Sequence, residues 1–550
     1  MNVNIALLTV TDTRTLDTDK SGNILQKKIK KAKHNLIERK ICKDNKKDIK
    51  KIINKWLKKK NIDIIVTTGG TGLTGRDITP EALNELADKH IPGFGEIFRY
   101  VSLKTVGTSS IQSRACAVLA KQAGFKVSGC DKVLYQPMSD VLKDADIQVD
   151  WGFEVAHLPS SEDALIIIGN VMQRGMPIIE HILDNKMPYK SACQFLQTEI
   201  LSRYSKKIVV SGTHGKTTTC AMISYVLEKM GHEPGYLIGG MPLDLAHNAS
   251  LGQGDCFVIV GDEYDSAFFD KRPKFLHYQP DILVWNNLEF DHADIYADLG
   301  AIEQQFHYLL KTMPPGAMIV HPVDCDPIER VFARGLWSKT LAHGADKGEL
   351  YAQCEDKAGF QWSLWSYDQR IADMHWSLCG KHNIANALSA FGVFKTLGLD
   401  LVAAAKHLNA FAGVKKRLEC IATRNNIAIY RDFAHHPSAI LTTLEAMAHA
   451  KGPQGRLIAV FEPRSYTMKK GVHQDQLLRA FLPADHVLAY QADTLGFDLK
   501  RSLSDSKCMV FEGHQLLYDT LMQTLGPNDK VVFLSNGDFM QLPEKVASAF

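Results

Sequence analysis

The stretch IVVSGTHGKTTTCAMISYVLEKM, residues 208–230, decides the fold of most of this 550-residue chain. Its opening residues, Ile208–Val210, are apolar and β-branched, and they predict a buried strand. A glycine-rich turn follows, and after it apolar residues recur at helical spacing. They are Met222, Ile223, Val226, Leu227 and Met230. A strand, a glycine-rich turn and a helix in this order are typical of a phosphate-binding loop in an α/β protein.

The turn consists of Gly212, Thr213, His214, Gly215, Lys216, Thr217 and Thr218. Glycines permit a tight turn, in which backbone N–H groups and the helix N-terminus surround phosphate oxygens. Lys216 adds a positive charge, and Thr217 is placed to bind Mg²⁺. The first glycine of the common G-x-x-x-x-G-K-[ST] pattern is missing, but the strand–turn–helix context predicts ATP and Mg²⁺ as cofactors.

Further polar segments follow predicted strands downstream of the turn. NNLEFDHADIY (286–296) places a histidine and three acids just after a predicted strand, Ile282–Trp285, which suits divalent-metal and phosphate chemistry. Read alone, Asp291-His292 is equally compatible with a solvated turn, and the neighbouring loop favours the functional interpretation. GKHNIANALSA (380–390) predicts the opening of a helix. The C-terminal candidates for a nucleotide or carboxylate ligand are Arg417, Asp432, His435, His436 and Arg464.

Together these segments resemble the Mur ligase superfamily. The resemblance rests on GTHGKTTT, DEYDSAFFDKR, NNLEFDHAD, GKHNIANALSA, VKKRLE, DFAHHP and EPRSYTMK, and it covers about residues 116–545. It implies a multidomain α/β fold with three ligase domains. These are a UDP-sugar-binding Rossmann-like domain at 116–205, a central ATP-binding domain at 206–412 and a C-terminal Rossmann-like, peptide-binding domain at 413–550.

The resemblance also implies an activity. The expected enzyme is an ATP-dependent amide-bond ligase of peptidoglycan recycling, which joins murein tripeptide (L-Ala-γ-D-Glu-meso-diaminopimelate) to UDP-N-acetylmuramate through an acyl phosphate. Lys216 would neutralise phosphate charge, and His292 matches the family's second metal ligand, beside Thr217. Asn287 matches a position facing the adenine, while Arg417 and Asp432 match positions that hold the nucleotide from the C-terminal domain.

Three departures from the family pattern leave a second hypothesis open, a decayed hybrid that still binds ATP. The family has a glutamate, a Mg²⁺ ligand, where this chain has Val260, and strand alternation predicts that at most one of Asp262 and Glu263 points inward to compensate. The first strand and glycine-rich opening of the UDP-sugar domain are also missing. Finally, Arg431 replaces a common aspartate and Asp538 a common glycine.

The N-terminal region differs in charge from the rest of the chain. Residues 1–60 contain 18 Lys/Arg and 6 Asp/Glu, a net charge of +12, whereas the remaining residues carry a net charge of −9. DIKKIINKWLKKK (48–60) places Ile49, Ile52, Ile53, Trp56 and Leu57 on one helical face and lysines on the other. We interpret the lysines as a solvated surface and not as a nucleic-acid patch, since interleaved aromatic residues and a known binding module are missing.

A second resemblance covers this region. IALLTVTDTRT, TTGGTGLTGRDITPEA, GFGEIFR and TSSIQSRA are similar to the molybdenum cofactor biosynthesis protein B / molybdopterin adenylyltransferase family over about residues 3–115. It implies a truncated molybdopterin-binding-like α/β domain at 1–115, with Asp44 and Asp77 at acidic positions. The predicted strand 61–68 leads into its glycine turn, Gly69, Gly70, Thr71 and Gly72. A third hypothesis is therefore adenylyltransferase-type cofactor biosynthesis with molybdopterin as partner.

The two resemblances meet near residues 114–120, inside a predicted helix of small residues. Eleven scattered cysteines, with no Cys-x-x-Cys pair, indicate reduced thiols and a cytoplasmic protein. The apolar run Ile5–Val10 is too short for a signal peptide, and no run approaches the ~18 apolar residues of a membrane span.

Overall fold

The structure is a computed structural model. It describes residues 3–12, 14–16, 18–59, 61–68, 82–83, 86, 109–132, 138–160 and 163–549. The chain divides into two compact units, Met1–Lys104 and Thr105–Phe550. Helices and strands alternate along the described residues, so the fold class is α/β, as the sequence predicts.

In the described part of the first unit, the chain forms a three-stranded parallel sheet and two helices. Its elements are β1 (Asn4–Val10), α1 (Lys20–Lys31), β2 (Asn35–Cys42), α2 (Lys46–Leu57) and β3 (Ile64–Thr68), and the strand order is β2-β1-β3. The amphipathic helix predicted at 48–60 is α2, which begins where the Asn45 side chain accepts a hydrogen bond from the Asp48 N–H. Ile49, Ile53 and Trp56 are buried as predicted, but Leu57 is 59% exposed, so the apolar face is narrower than predicted.

The second unit opens with the helix predicted at the junction of the two resemblances. Its first elements are α3 (Ser109–Gln122), β4 (Ser128–Asp131), α4 (Met138–Asp144), β5 (Gln148–Trp151), β6 (Ile166–Ile168), α5 (Pro177–Asp184), β7 (Tyr189–Ser191) and α6 (Ala192–Phe195). The strands pair in parallel as β4-β5 and β6-β7. Ala115, Cys116 and Leu119 of α3 are buried in a core that includes Leu237 and Phe257 of the following region. This helix is therefore part of the ligase-like fold.

A ten-stranded, mostly parallel sheet forms the centre of the second unit. Its strands are β8 (Lys206–Ser211), β9 (Gly235–Leu237), β10 (Ala249–Ser250), β11 (Cys256–Val260), β14 (Ile282–Trp285), β15 (Met318–Pro322), β16 (Lys339–Gly344), β17 (Leu350–Cys354), β18 (Gln361–Ser366) and β19 (Gln369–His375), in the order β10-β9-β11-β8-β14-β15-β16-β17-β18-β19. The hairpin β12 (Asp265–Ala267) and β13 (Asp270–Pro273) lies outside this sheet. We call the part built on the ten-stranded sheet the P-loop domain.

The helices of the P-loop domain are α7 (Lys216–Lys229), α8 (Leu299–Thr312), α9 (Asp326–Ala333), α10 (Lys381–Thr396) and α11 (Leu401–Leu408). The predicted helix after the glycine turn is α7, but it is buried on all sides from Thr217 to Leu227 and not on one face. It packs against the sheet through β8 and β11 and against α10 and α11 on its other side, which explains why its apolar residues are not confined to one face.

A six-stranded sheet with helices makes up the C-terminal domain. Its elements are β20 (Glu419–Arg424), β21 (Ile427–Asp432), α12 (Pro437–Ala450), β22 (Leu457–Phe461), α13 (Tyr466–Lys469), α14 (Leu477–Ala480), β23 (His486–Tyr490), α15 (Leu499–Ser502), β24 (Cys508–Phe511), α16 (His514–Thr524), β25 (Lys530–Leu534) and α17 (Leu542–Ser548). The strand order is β20-β21-β25-β22-β23-β24, and only β20 is antiparallel to its neighbour. Among the residues that the structure describes, none of the helices has the length and apolar run needed to cross a bilayer.

Candidate active site

The glycine turn lies at the carboxyl end of β8, between β11 and β14, where ligands bind in parallel α/β sheets. Gly212 has a φ of +119°, and a Cβ there would lie 2.7 Å from the Asn287 carbonyl oxygen. Gly215, with a φ of +81°, caps α7, and a Cβ there would lie 2.2 Å from Asn386 Oδ1. Both positions therefore require glycine, and they point the N-terminus of α7 at the site.

Lys216 forms a buried ion pair with Glu263 in this loop. Lys216 Nζ lies 2.7 Å from Glu263 Oε2, with side-chain exposures of only 14% and 3%. The Gly212 N–H donates to the other carboxylate oxygen at 3.2 Å. Glu263 thus accepts hydrogen bonds from the lysine and a backbone amide of the loop, which are the donor types that bind phosphate.

Asp262, Glu263 and His292 form a cluster of metal-ligand type beside Lys216. One ligand atom of each lies within 4.8 Å of the others, and His292 Nε2 is 3.9 Å from Glu263 Oε2. Burial alone would raise the pKa of Asp262, but the charges of Lys274, Lys216 and His292 outweigh it and lower that pKa. Two carboxylates and an imidazole at a P-loop suit a divalent cation.

The expectation that at most one of Asp262 and Glu263 points inward is wrong. Strand β11 ends at Val260, so the alternation of a strand does not extend to these residues. Val260 itself borders the loop: a Cβ on Gly239 would lie 3.4 Å from Thr217 Oγ1 and 3.8 Å from Val260 Cγ2. The valine methyl groups and the Thr217 hydroxyl therefore line one space.

Two asparagine side chains form hydrogen bonds around the loop, and a third lies beside it. Asn287 Oδ1 accepts from the His214 N–H at 2.8 Å, and its Nδ2 donates to the His214 carbonyl at 3.3 Å. Asn286 Nδ2 donates to Thr219 Oγ1 at 3.0 Å. Asn386, on helix α10, contributes the oxygen closest to Gly215. Asn287 therefore lies at the loop, and its side-chain amide forms hydrogen bonds with the backbone of His214.

The C-terminal domain reaches the loop through Arg417. Its Nη2 lies 3.4 Å from Thr217 Oγ1, and its guanidinium carbon lies 4.4 Å from the centroid of the Phe433 ring. Asp432 accepts from the Leu418 and Ala434 N–H groups, both at 2.6 Å, so it fixes the backbone next to Arg417. Burial lowers the pKa of Arg417 and raises that of Asp432. The site is therefore built from both domains.

Models of known protein families match the part of the chain that forms this site. The middle domain of Mur ligases matches residues 210–394, their glutamate ligase domain matches 416–537, and the Mur ligase family catalytic domain matches 102–204. A UDP-N-acetylmuramate–L-alanyl-γ-D-glutamyl-meso-2,6-diaminoheptandioate ligase of Haemophilus influenzae is 38% identical over 432 residues, 78% of this chain and 95% of that relative. The chain belongs to the Mur ligase family.

Two further Mur ligases support the assignment. The ligase of the same name from Escherichia coli is 39% identical over 435 residues, 78% of this chain and 94% of that relative. The crystal structure of a murein peptide ligase from Psychrobacter arcticus matches with a TM-score of 0.62 and 35% identity, covering 81% of this chain and 97% of that one. The sequence-based family assignment for the ligase part is confirmed.

The N-terminal assignment has a family match as well. A model described as "probable molybdopterin binding domain" matches residues 6–143 and overlaps the ligase match at 102–143. Asp44 is half-buried, and its backbone N–H donates to Asp12 Oδ1 at 3.0 Å. The predicted glycine turn and Asp77 lie outside the described residues.

Several residues of the site were missed by sequence reasoning. Asn386 lies inside a segment singled out for the resemblance, but nothing in its spacing indicates contact with the loop. Glu263 was considered only as a replacement for the glutamate missing at Val260, and its ion pair with Lys216 was not predicted. Asp131, at the end of β4, forms an ion pair with Arg114 at 2.8 Å. Arg431 and Asp538, two departures from the family pattern, pair with each other at 3.6 Å.

The tight fit at Gly215 generates a prediction for nucleotide binding. Gly215→Ala should weaken ADP binding at least about tenfold by calorimetry, because the new methyl group displaces Asn386 and distorts the loop. Gly231→Ala is the matched control, since Gly231 has a similar φ of +78° with no atom within 4 Å of a Cβ there. Equal losses in both variants would mean that backbone strain, and not the Asn386 contact, limits binding.

Proposed function

We propose that this chain is an ATP-dependent amide-bond ligase that joins L-Ala-γ-D-Glu-meso-diaminopimelate to UDP-N-acetylmuramate. The relatives it matches over more than three quarters of its length are named for this peptide and this nucleotide sugar. The observation that carries the proposal is the contact between Arg417 and Thr217, because it joins the C-terminal domain to a P-loop. A ligase needs such a junction to bring a nucleotide and a second substrate together.

The residues fit an acyl-phosphate route. A carboxylate oxygen of UDP-N-acetylmuramate bonds to the γ-phosphorus as ADP leaves; the peptide amine then bonds to the carbonyl carbon, loses a proton and expels phosphate. Lys216 and the N-terminus of α7 would neutralise charge on the phosphates, and Arg417, which contacts Thr217, would add a cation from the C-terminal domain. We propose Lys216, His292 and Arg417 as catalytic residues, with Asn287 and Asp432 in the nucleotide site.

We further propose a Mg²⁺ site beside Thr217, with His292, Glu263 and Asp262 as its other protein groups. The donor set fits: Asp262, Glu263 and His292 bring two carboxylates and an imidazole together, and carboxylates are the hard ligands that Mg²⁺ prefers. Bound there, Mg²⁺ would offset phosphate charge during transfer. Glu263 supplies the carboxylate that Val260 cannot, so the valine does not by itself remove the site.

A metal-binding measurement tests the role of Glu263. Glu263→Gln should weaken Mn²⁺ binding to the ADP complex at least about tenfold by electron paramagnetic resonance, equivalent to about 1.4 kcal/mol. Adding Val260→Glu to that variant should restore the affinity, because Val260 borders Thr217. Asp265→Asn is the control, since Asp265 pairs with the exposed Lys271. Unchanged Mn²⁺ affinity in Glu263→Gln would refute the assignment.

The domain limits and location are also proposals. We place a truncated molybdopterin-binding-like segment at 1–115, followed by ligase domains at 116–205, 206–412 and 413–550. The family matches at 210–394 and 416–537, together with the separate ten-stranded and six-stranded sheets, support the limits near 205 and 412. The limit at 115 lies within α3, where the family matches at 6–143 and 102–204 overlap. All eleven cysteines are free thiols, which supports a reducing compartment, the cytoplasm.

The proposed reaction can be tested by mass spectrometry of the full chain with Mg²⁺-ATP, UDP-N-acetylmuramate and the tripeptide. We expect one product, UDP-N-acetylmuramoyl-tripeptide, with ADP and phosphate. Arg417→Lys should lower turnover at least about tenfold, because a point charge does not reproduce the planar guanidinium on Phe433. ATP binding without any product in the unmodified chain would contradict the proposal and favour the decayed hybrid.

A further inference from the structure

A second group of metal-ligand type lies across the two domains, away from the Asp262–Glu263–His292 cluster. It consists of His214 in the P-loop, Glu289 in the loop after β14, and His436 at the start of α12 in the C-terminal domain. We call these three residues the bridging triad. The proposed function gives no task to their side chains.

The spacing of the bridging triad is that of a metal coordination sphere. Glu289 Oε2 lies 3.6 Å from His214 Nε2 and 3.4 Å from His436 Nδ1, and all three atoms lie within 4.8 Å of one another. Ligands at ~2.0–2.2 Å from a tetrahedral ion are separated by roughly 3.3–3.6 Å. Two of the measured separations therefore match the edges of a coordination tetrahedron.

Ser438 lies against all three ligand atoms of the bridging triad. Ser438 Oγ lies 2.6 Å from Glu289 Oε2, 2.8 Å from His436 Nδ1 and 3.1 Å from His214 Nε2. A hydroxyl has one proton, and it goes to the carboxylate. His436 Nδ1 is itself an acceptor, since the Ser438 backbone N–H donates to it at 3.4 Å. Glu289 and His436 thus present acceptor atoms to the same small space, and their protons come from the Ser438 hydroxyl, the Ser438 N–H and the His214 ring.

The charge of the bridging triad and its exposure to solvent also favour the binding of a cation. Burial lowers the pKa of His436 to about 3, helped by the neighbouring His214 and His473, so its ring is neutral near pH 7. Burial alone would raise the pKa of Glu289, but hydrogen bonds from His214 and Ser438 and the nearby imidazoles lower it to about 2. Glu289 is 40% exposed on its side chain, which leaves the group open to solvent.

We propose that the bridging triad binds one transition-metal ion of the Zn²⁺ type and clamps the C-terminal domain to the P-loop. Two imidazoles and one carboxylate select Zn²⁺, Co²⁺ or Ni²⁺ over Mg²⁺, which prefers oxygen ligands. Because His214 lies in the loop itself, an ion here fixes the P-loop relative to the C-terminal domain.

The test is the visible absorption spectrum of the full chain, first freed of metal and then titrated with Co²⁺. Excess Mg²⁺ is present to occupy the Asp262–Glu263–His292 cluster. We expect one Co²⁺ per chain with the visible bands of a four- or five-coordinate ion, displaced by Zn²⁺. His436→Ala and Glu289→Gln should each weaken Co²⁺ binding at least tenfold. His435→Ala is the matched control, because its ring bonds to the Phe433 carbonyl and is not a triad member. His292→Ala should retain the signal.

Two outcomes in the unmodified chain and the histidine variants would overturn the proposal. One is the lack of any Co²⁺ band in the unmodified chain, and the other is loss of the band in His292→Ala but not in His436→Ala. Ser438→Ala guards against a variant that merely unfolds: it removes the competing hydroxyl and keeps all three ligands, so Co²⁺ binding should persist or tighten. Loss of Co²⁺ binding in Ser438→Ala, with an unchanged circular dichroism spectrum, would also contradict the proposal.

Discussion

The buried ion pair between Lys216 and Glu263 is the interaction on which the rest of the site depends. Two opposite charges with exposures of 14% and 3% are stable there only because each compensates the other. Removing one partner of such a pair costs about 3–5 kcal/mol, since the remaining charge stays buried. The pair also links β8 to β11, because Lys216 follows the first strand and Glu263 the second.

Other groups are arranged around this pair by the parallel sheet. The carboxyl ends of β11, β8 and β14 lie side by side, so the loops that follow them bring Glu263, Lys216 and His292 together. His292 has a φ of +58°, an uncommon conformation for a residue other than glycine, of the kind that concentrates at functional sites. The C-terminal domain then adds Arg417, so the P-loop domain and the C-terminal domain meet at Thr217.

Sequence reasoning succeeded where the signal is local. The strand before the P-loop, the helix after it, the strand Ile282–Trp285 and the helix starting at Lys381 depend on short-range patterns, and all are present. It failed for Asp262 and Glu263 because the end of β11 at Val260 depends on sheet pairing, which local alternation does not reveal. Asn386 and Ser438 were missed for a related reason, since each reaches the site across more than a hundred residues.

Isotope transfer is the most direct test of the central claim, that a nucleotide site completed by the C-terminal domain activates a carboxylate as an acyl phosphate. The chain would be incubated with Mg²⁺-ATP, tripeptide and UDP-N-acetylmuramate carrying ¹⁸O in its lactyl carboxylate. The account predicts that one ¹⁸O per turnover appears in inorganic phosphate, because a carboxylate oxygen becomes bonded to phosphorus. Formation of the amide with no ¹⁸O in phosphate would contradict it.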